Sequence, residues 1–202
     1  VAPAGPGYFQ DFSVARDLPI TAGMDAFAPE ERDPDTGLPN AQGFDRVLDA
    51  ELSRSARHEL PLSLVLLEVS DRSEPAAGER QLAAIVNAVA TALRERIRSE
   101  DSAARIGRLK FAVLGVETAD AGTLATGLAE HVRRALLGLE TDAGFAVTAG
   151  GADAHYDELS RQELLRQADR ALAAAGMTGG DVAFPSPRRA SAASVNGPER
   201  ER

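Results

Sequence analysis

At 202 residues the chain is long enough for one ordinary domain with tails, and a hydrophobic fraction of 44% supplies a core. An aromatic fraction of only 4% means that core is built from aliphatic side chains and alanine. A formal charge of −9 disfavours nonspecific nucleic-acid binding, the absence of cysteine excludes disulfides and thiolate metal sites, and no apolar run approaches the ~20 residues that cross a bilayer.

Residues 1–32 are rich in Pro, Gly, Ala and acids without helical period, and read as a linker or N-terminal arm. Asn40 is placed to cap a helix with Phe44, Val47, Leu48 and Leu52 on its apolar face. Leu60 to Val69 is a nearly continuous apolar run, the pattern of a strand buried on both faces. Leu82, Ile85, Val86, Val89, Leu93 and Ile97 then follow helical spacing.

Two apolar runs, Ser102 to Ile106 and Phe111 to Val116, flank Gly107-Arg108-Leu109-Lys110, which reads as the turn of a β-hairpin. Leu124, Leu128, Val132 and Leu136 mark a third helix, and Phe145 to Gly151 a further strand. Ser160-Arg-Gln-Glu163 has the form of a capping box opening a helix with Leu164, Leu165, Ala168 and Leu172, and Val182-Ala-Phe184 a short last strand. Residues 185–202 read as a disordered tail, leaving one domain over 33–184.

The order predicts an α+β fold: a split βαββαβ core whose central, mainly antiparallel sheet is flanked by helices. His58, His131 and His155 lack metal-ligand spacing, and nothing in the chain requires a cofactor. Asp153, His155, Tyr156 and Asp157 read as a solvated polar loop after a strand.

Several strings, in order, resemble the GGDEF family of diguanylate cyclases, which join two GTP molecules into cyclic di-GMP. Arg32-Asp-Pro-Asp-Thr-Gly-Leu-Pro-Asn40 resembles its opening Asp-x-Leu-Thr-Gly-Leu-Pro-Asn, with Asp35 in place of the usual Leu. Leu64 to Val69 resembles its first strand, Leu93 to Gly107 the run into its signature turn, Phe145 to Gly151 its Val-Ser-Ile-Gly strand, and Glu163 to Leu172 its closing helix.

The resemblance implies a metal held by an acid ending the first strand and an acid in the signature turn. Glu68 falls at the first position, as a vestigial ligand, and Leu109 at the second, with Lys110 beside it. Of the turn's Gly-Gly-Asp/Glu-Glu-Phe, Gly107 and Phe111 persist and Arg108, Leu109 and Lys110 intervene. After the first strand Ser70 to Glu79 is about six residues shorter than the family's guanine-reading loop and lacks its Asn. Gly176 and Gly180 align with the Lys and Arg that grip phosphate. The expectation is a domain with no catalytic residues and no bound metal.

Arg98-Ser-Glu-Asp101 resembles the family's inhibitory Arg-x-x-Asp site, where cyclic di-GMP binds. A guanidinium can fork onto phosphate and a carboxylate can accept guanine N–H groups, with Arg133 or Arg134 as a second grip. The expected function is a catalytically inactive, cytoplasmic signalling module that receives cyclic di-GMP. The alternative is a protein-interaction or homodimerisation domain without nucleotide; an active cyclase stands third.

Overall fold

The computed structural model describes residues 27–72, 78–139, 144–155, 160–177 and 182–183. Four helices, α1 (Ala41–His58), α2 (Glu79–Arg96), α3 (Ala121–Leu137) and α4 (Arg161–Met177), alternate with β1 (Leu62–Asp71), β2 (Ser102–Arg105), β3 (Lys110–Val116), β4 (Phe145–Ala154) and β5 (Val182–Ala183). The predicted α+β fold is present. One sheet runs β2-β3-β1-β4-β5, antiparallel throughout except for the short parallel β4–β5 pair.

β1 is central, pairing with β3 from Leu62↔Val116 to Glu68↔Lys110 and with β4 from Leu62↔Ala154 to Asp71↔Phe145. Its side chains alternate between two cores, as the strand period of two requires. Val65, Leu67 and Val69 pack with Ile85, Val89 and Leu93 of α2 and Leu128 and Val132 of α3. Leu62, Leu64 and Leu66 pack with Phe44, Val47 and Leu48 of α1 and Leu164 and Leu172 of α4. Two covered faces explain why β1 reads as a nearly continuous apolar run.

Local chemistry fixes the helix starts. The Asn40 side chain accepts from the backbone N–H of Gln42 (2.9 Å) and Gly43 (3.0 Å), capping α1. Asp120 caps α3 by accepting from Thr123 N at 2.8 Å. Only half of the expected capping box opens α4: Ser160 Oγ accepts from Glu163 N at 3.4 Å. The Glu163 carboxylate instead takes hydrogen bonds from Arg166 and Gln167, which hold its pKa down to about 2.

Two boundaries shift for identifiable reasons. β4 continues past Gly151 to Ala154, because Asp153 Oδ1 accepts from Ser63 Oγ of β1 and from Ala121 N at the start of α3. Asp153 is thus an anchor between elements rather than part of a solvated loop. The four-residue hairpin turn moves back by one to Ile106–Leu109, because Ile106 N and Gly107 N both donate to Lys110 O and draw Lys110 into β3.

N-terminal to residue 33, Arg46 of α1 pairs with Glu31 (2.9 Å) and lies over the Phe27 ring at 4.9 Å. Residues 1–26, 73–77, Tyr156, Asp157, Gly180, Phe184 and the tail 185–202 lie outside the described residues.

Candidate functional site

The β2–β3 hairpin tip is held from three sides. Leu109 O accepts from Val69 N of β1 at 2.9 Å, continuing the β1–β3 ladder to the tip. The Leu109 side chain is half-buried against the core under α2 and α3, with Phe111 fully buried beside it. Lys110 points to the other face of the sheet, where its ammonium pairs with Asp169 of α4 at 2.8 Å. Glu68, directly opposite Lys110 in the β1–β3 register, is exposed.

The third hold comes from a residue that the spacing of motifs did not single out. Arg105, at the end of β2, donates to the carbonyls of Gly107 (3.3 Å) and Arg108 (2.9 Å). Its other guanidinium nitrogen reaches back to the loop before α1, meeting both oxygens of Asp33 (3.1 and 3.0 Å) and Asp35 (2.7 Å). That loop is itself tightly turned: Asp33 accepts from Thr36 N and Oγ1, and Gly37 sits at φ 69 in the left-handed region that glycine tolerates. Burial alone would raise the Asp33 carboxyl, but the hydrogen bonds from Thr36 and Arg105 outweigh it and hold it below the ordinary aspartate value.

Arg98 and Asp101 lie in the connection from α2 to β2, and the structure brings them together. Asp101 is buried, and both of its carboxylate oxygens are used. One accepts from Arg98 N (3.0 Å) and the other from Val116 N at the end of β3 (3.0 Å). The Arg98 side chain is exposed.

Arg133 is not brought to the Asp101 carboxylate. Its guanidinium donates to Val147 O at 3.0 Å, and Val147 pairs with Val69, whereas Val116 pairs with Leu62. Seven strand residues separate those two points on β1, a span of roughly 23 Å. The reason is that α3 runs from the Asp101 end of the sheet toward the other, so a residue late in that helix leaves the neighbourhood of its start. Arg134, the alternative, is exposed in the last turn of α3.

The family profile described as diguanylate cyclase, GGDEF domain, matches residues 30–181. This chain belongs to the GGDEF family. No curated protein sequence matches it.

Among solved structures, the coiled coil and GGDEF domain of DgcB from Caulobacter crescentus, in complex with c-di-GMP, is similar at TM-score 0.65 and 20% identity, covering 78% of this chain and 86% of that one. The FimX GGDEF domain from Pseudomonas aeruginosa gives 0.60 and 20%, covering 75% and 96%. Diguanylate cyclase SiaD of the same organism, in complex with its activator SiaC, gives 0.59 and 26%, covering 73% of this chain and 58% of SiaD.

In this GGDEF domain the two ends of the sheet carry different chemistry. The hairpin end gathers Glu68, Lys110 and Asp169 on one face, with Arg105, Asp33 and Asp35 at the turn. Among the described residues no three His, Cys, Asp or Glu side chains form a group that could hold a metal ion. The opposite end presents Arg98 beside a carboxylate already committed to backbone. No described helix is long and apolar enough to cross a membrane.

Asp33, Asp35 and Asp169 went unrecognised as partners of the hairpin. The pairs they form join residues 59 to 72 apart in sequence, beyond the reach of any local pattern.

Proposed function

We propose that this domain is a catalytically inactive, cytoplasmic GGDEF signalling module that acts by binding rather than by turnover. The observation that carries the reading is the hairpin tip. Where the family places a second acidic metal ligand, the Leu109 side chain offers no oxygen and packs on the core; beside it stands an ammonium paired with Asp169. A divalent ion here would find the exposed carboxylate of Glu68 and an Asp169 already paired with Lys110, beside a positive charge, instead of the several free oxygen ligands Mg²⁺ demands. The residues present do not fit the metal, and no phosphoryl-transfer step is routed through this end of the sheet.

Incubating the protein with GTP and Mg²⁺ or Mn²⁺, with nucleotides separated by chromatography, tests the reading. No cyclic di-GMP is the expected result; steady turnover overturns it.

The ligand we assign to the module is cyclic di-GMP, held through exposed Arg98. An exposed guanidinium suits its phosphates by paired hydrogen bonds. DgcB, with the same fold, carries c-di-GMP in its structure. Calorimetry with cyclic di-GMP should give micromolar binding that Arg98→Ala abolishes. Asp101→Ala is the poorer probe, because it also strips acceptors from Arg98 N and Val116 N.

A specific observation favours the second reading, a protein-interaction module without nucleotide. Asp101 is buried and each of its oxygens already accepts a backbone N–H, so the carboxylate serves the fold and is poorly exposed to a guanine edge. SiaD, the most identical of the three structures compared above, is bound to a protein activator. No heat with cyclic di-GMP at high concentration would leave this reading in possession.

A further inference from the structure

We infer that Lys110 is a tethered counter-ion, an ammonium built into the chain that neutralises the carboxylates at this end of the sheet in place of a metal and latches the hairpin to α4. The inference rests on the inactive-site reading above and specifies what replaced the metal.

Glu68 and Lys110 are directly opposed on neighbouring antiparallel strands, so their side chains leave the sheet on the same face. It is the face covered by α1 and α4, because Leu62, Leu64 and Leu66, in step with Glu68, pack there. Asp169 enters from α4 and meets the ammonium at 2.8 Å. The ammonium thus pairs with an acid of α4 on the face where Glu68, its register partner, also leaves β1.

Lys110 is the single lysine of the chain, the other basic side chains being arginine or histidine. A compact ammonium behaves as a point charge, closer to a small cation than a planar guanidinium is. The Lys110 side chain is 33% exposed and that of Asp169 57%, so water partly screens the pair and its contribution is modest.

Reversing this one charge should make the domain dependent on the ion it otherwise excludes. In Lys110→Glu, the new carboxylate lies opposite Glu68 and replaces the partner of Asp169, and like charges directly opposite on a sheet repel. The melting temperature of the full chain is measured in EDTA and in millimolar MnCl₂. The wild type is expected to melt alike in both. Lys110→Glu should melt about 2–4 °C lower in EDTA, recover in MnCl₂, and lose that recovery when Glu68→Gln is added.

Two results overturn the inference: a Mn²⁺ stabilisation of the wild type that Glu68→Gln removes, or a Lys110→Glu variant as stable as wild type in EDTA. Should Lys110→Glu not fold, Lys110→Gln is examined by NMR. Mn²⁺ should broaden the amide signals around Glu68 and Asp169 in this variant and leave them sharp in the wild type; local broadening in the wild type sinks the idea. The readout is stability and line width, so it fails independently of GTP turnover.

Discussion

Arg105 joins two parts of the chain that are about seventy residues apart in sequence, and the energetics of that junction follow from its burial. Its side chain is 13% exposed and that of Asp33 14%, so each charge depends on the other for the hydrogen bonds that water no longer supplies. Burial would lower the Arg105 pKa, but the bonds to Asp35 and Asp33 raise it, keeping the guanidinium charged at any accessible pH. Arg105→Met should therefore cost about 2–3 kcal/mol in urea denaturation, since it strands the Asp33 carboxylate and releases the carbonyls of Gly107 and Arg108. Asp35 is 58% exposed, and Asp35→Ala should cost under about 1 kcal/mol.

The Asp33 carboxyl also sets a pH dependence. Its folded pKa lies below the ordinary value, so its stabilisation is complete at neutral pH and is lost as pH falls through the folded value. Wild type should be more stable than Asp33→Asn at pH 7, and the difference should close below about pH 4, where the unfolded carboxylate also protonates. A constant difference across a pH series of urea titrations would show that hydrogen-bond geometry, not charge, makes the contribution.

At the scale of elements, β4 is the strand on which both helical layers close. Gly150 and Gly151 project to opposite faces, and each admits a helix. A Cβ on Gly150 would stand 2.0 Å from Leu172 N and 2.5 Å from Ala171 C, both backbone atoms of α4. A Cβ on Gly151 would meet Ala121 Cβ at 2.8 Å and Ala121 O at 2.9 Å, at the start of α3. Backbone cannot rotate aside as a side chain can, so Gly150→Ala should destabilise by about 3 kcal/mol or more in thermal or urea melts. Gly115→Ala is the control: its nearest neighbour is Leu124 Cδ2 at 2.9 Å, the end of a flexible side chain, and about 1 kcal/mol is expected.

At the scale of the whole molecule, the fold does not depend on the charge of the hairpin end. The frame depends on apolar alternation and close helix approach, and neither requires an acid at positions 109 or 110. On the inactive reading proposed above, replacing both at once, Leu109→Asp with Lys110→Glu, places acids at the tip but leaves Gly176 where the resemblance expects a phosphate-gripping cation, and the short connection after β1. That double variant should gain affinity for Mn²⁺ yet form no cyclic di-GMP from GTP by chromatography. Detectable product would mean that the tip alone limits the chemistry.

The periods of the sequence determined the elements. The apolar run of β1, the 3.6-residue spacing of α1 to α4 and the Asn40 cap are local effects, set by backbone geometry within a few residues, and were legible without a structure. The family resemblance in Arg32 to Asn40 and around Gly107 was legible for the same reason, being carried by contiguous strings. Ser160-Glu163 was legible only in part, because Arg166 and Gln167, one turn further on, compete for the same carboxylate.

Charge pairing was not legible. Arg105 with Asp33 and Asp35, and Lys110 with Asp169, exist only because the sheet and α4 carry distant residues to one place. The parting of Arg133 from Asp101, and the commitment of both Asp101 oxygens to backbone, likewise follow from the direction of α3 and the end of β3. Helix and strand form from neighbours in the chain. Electrostatic partners are chosen by neighbours in space, and only the tertiary structure decides which those are.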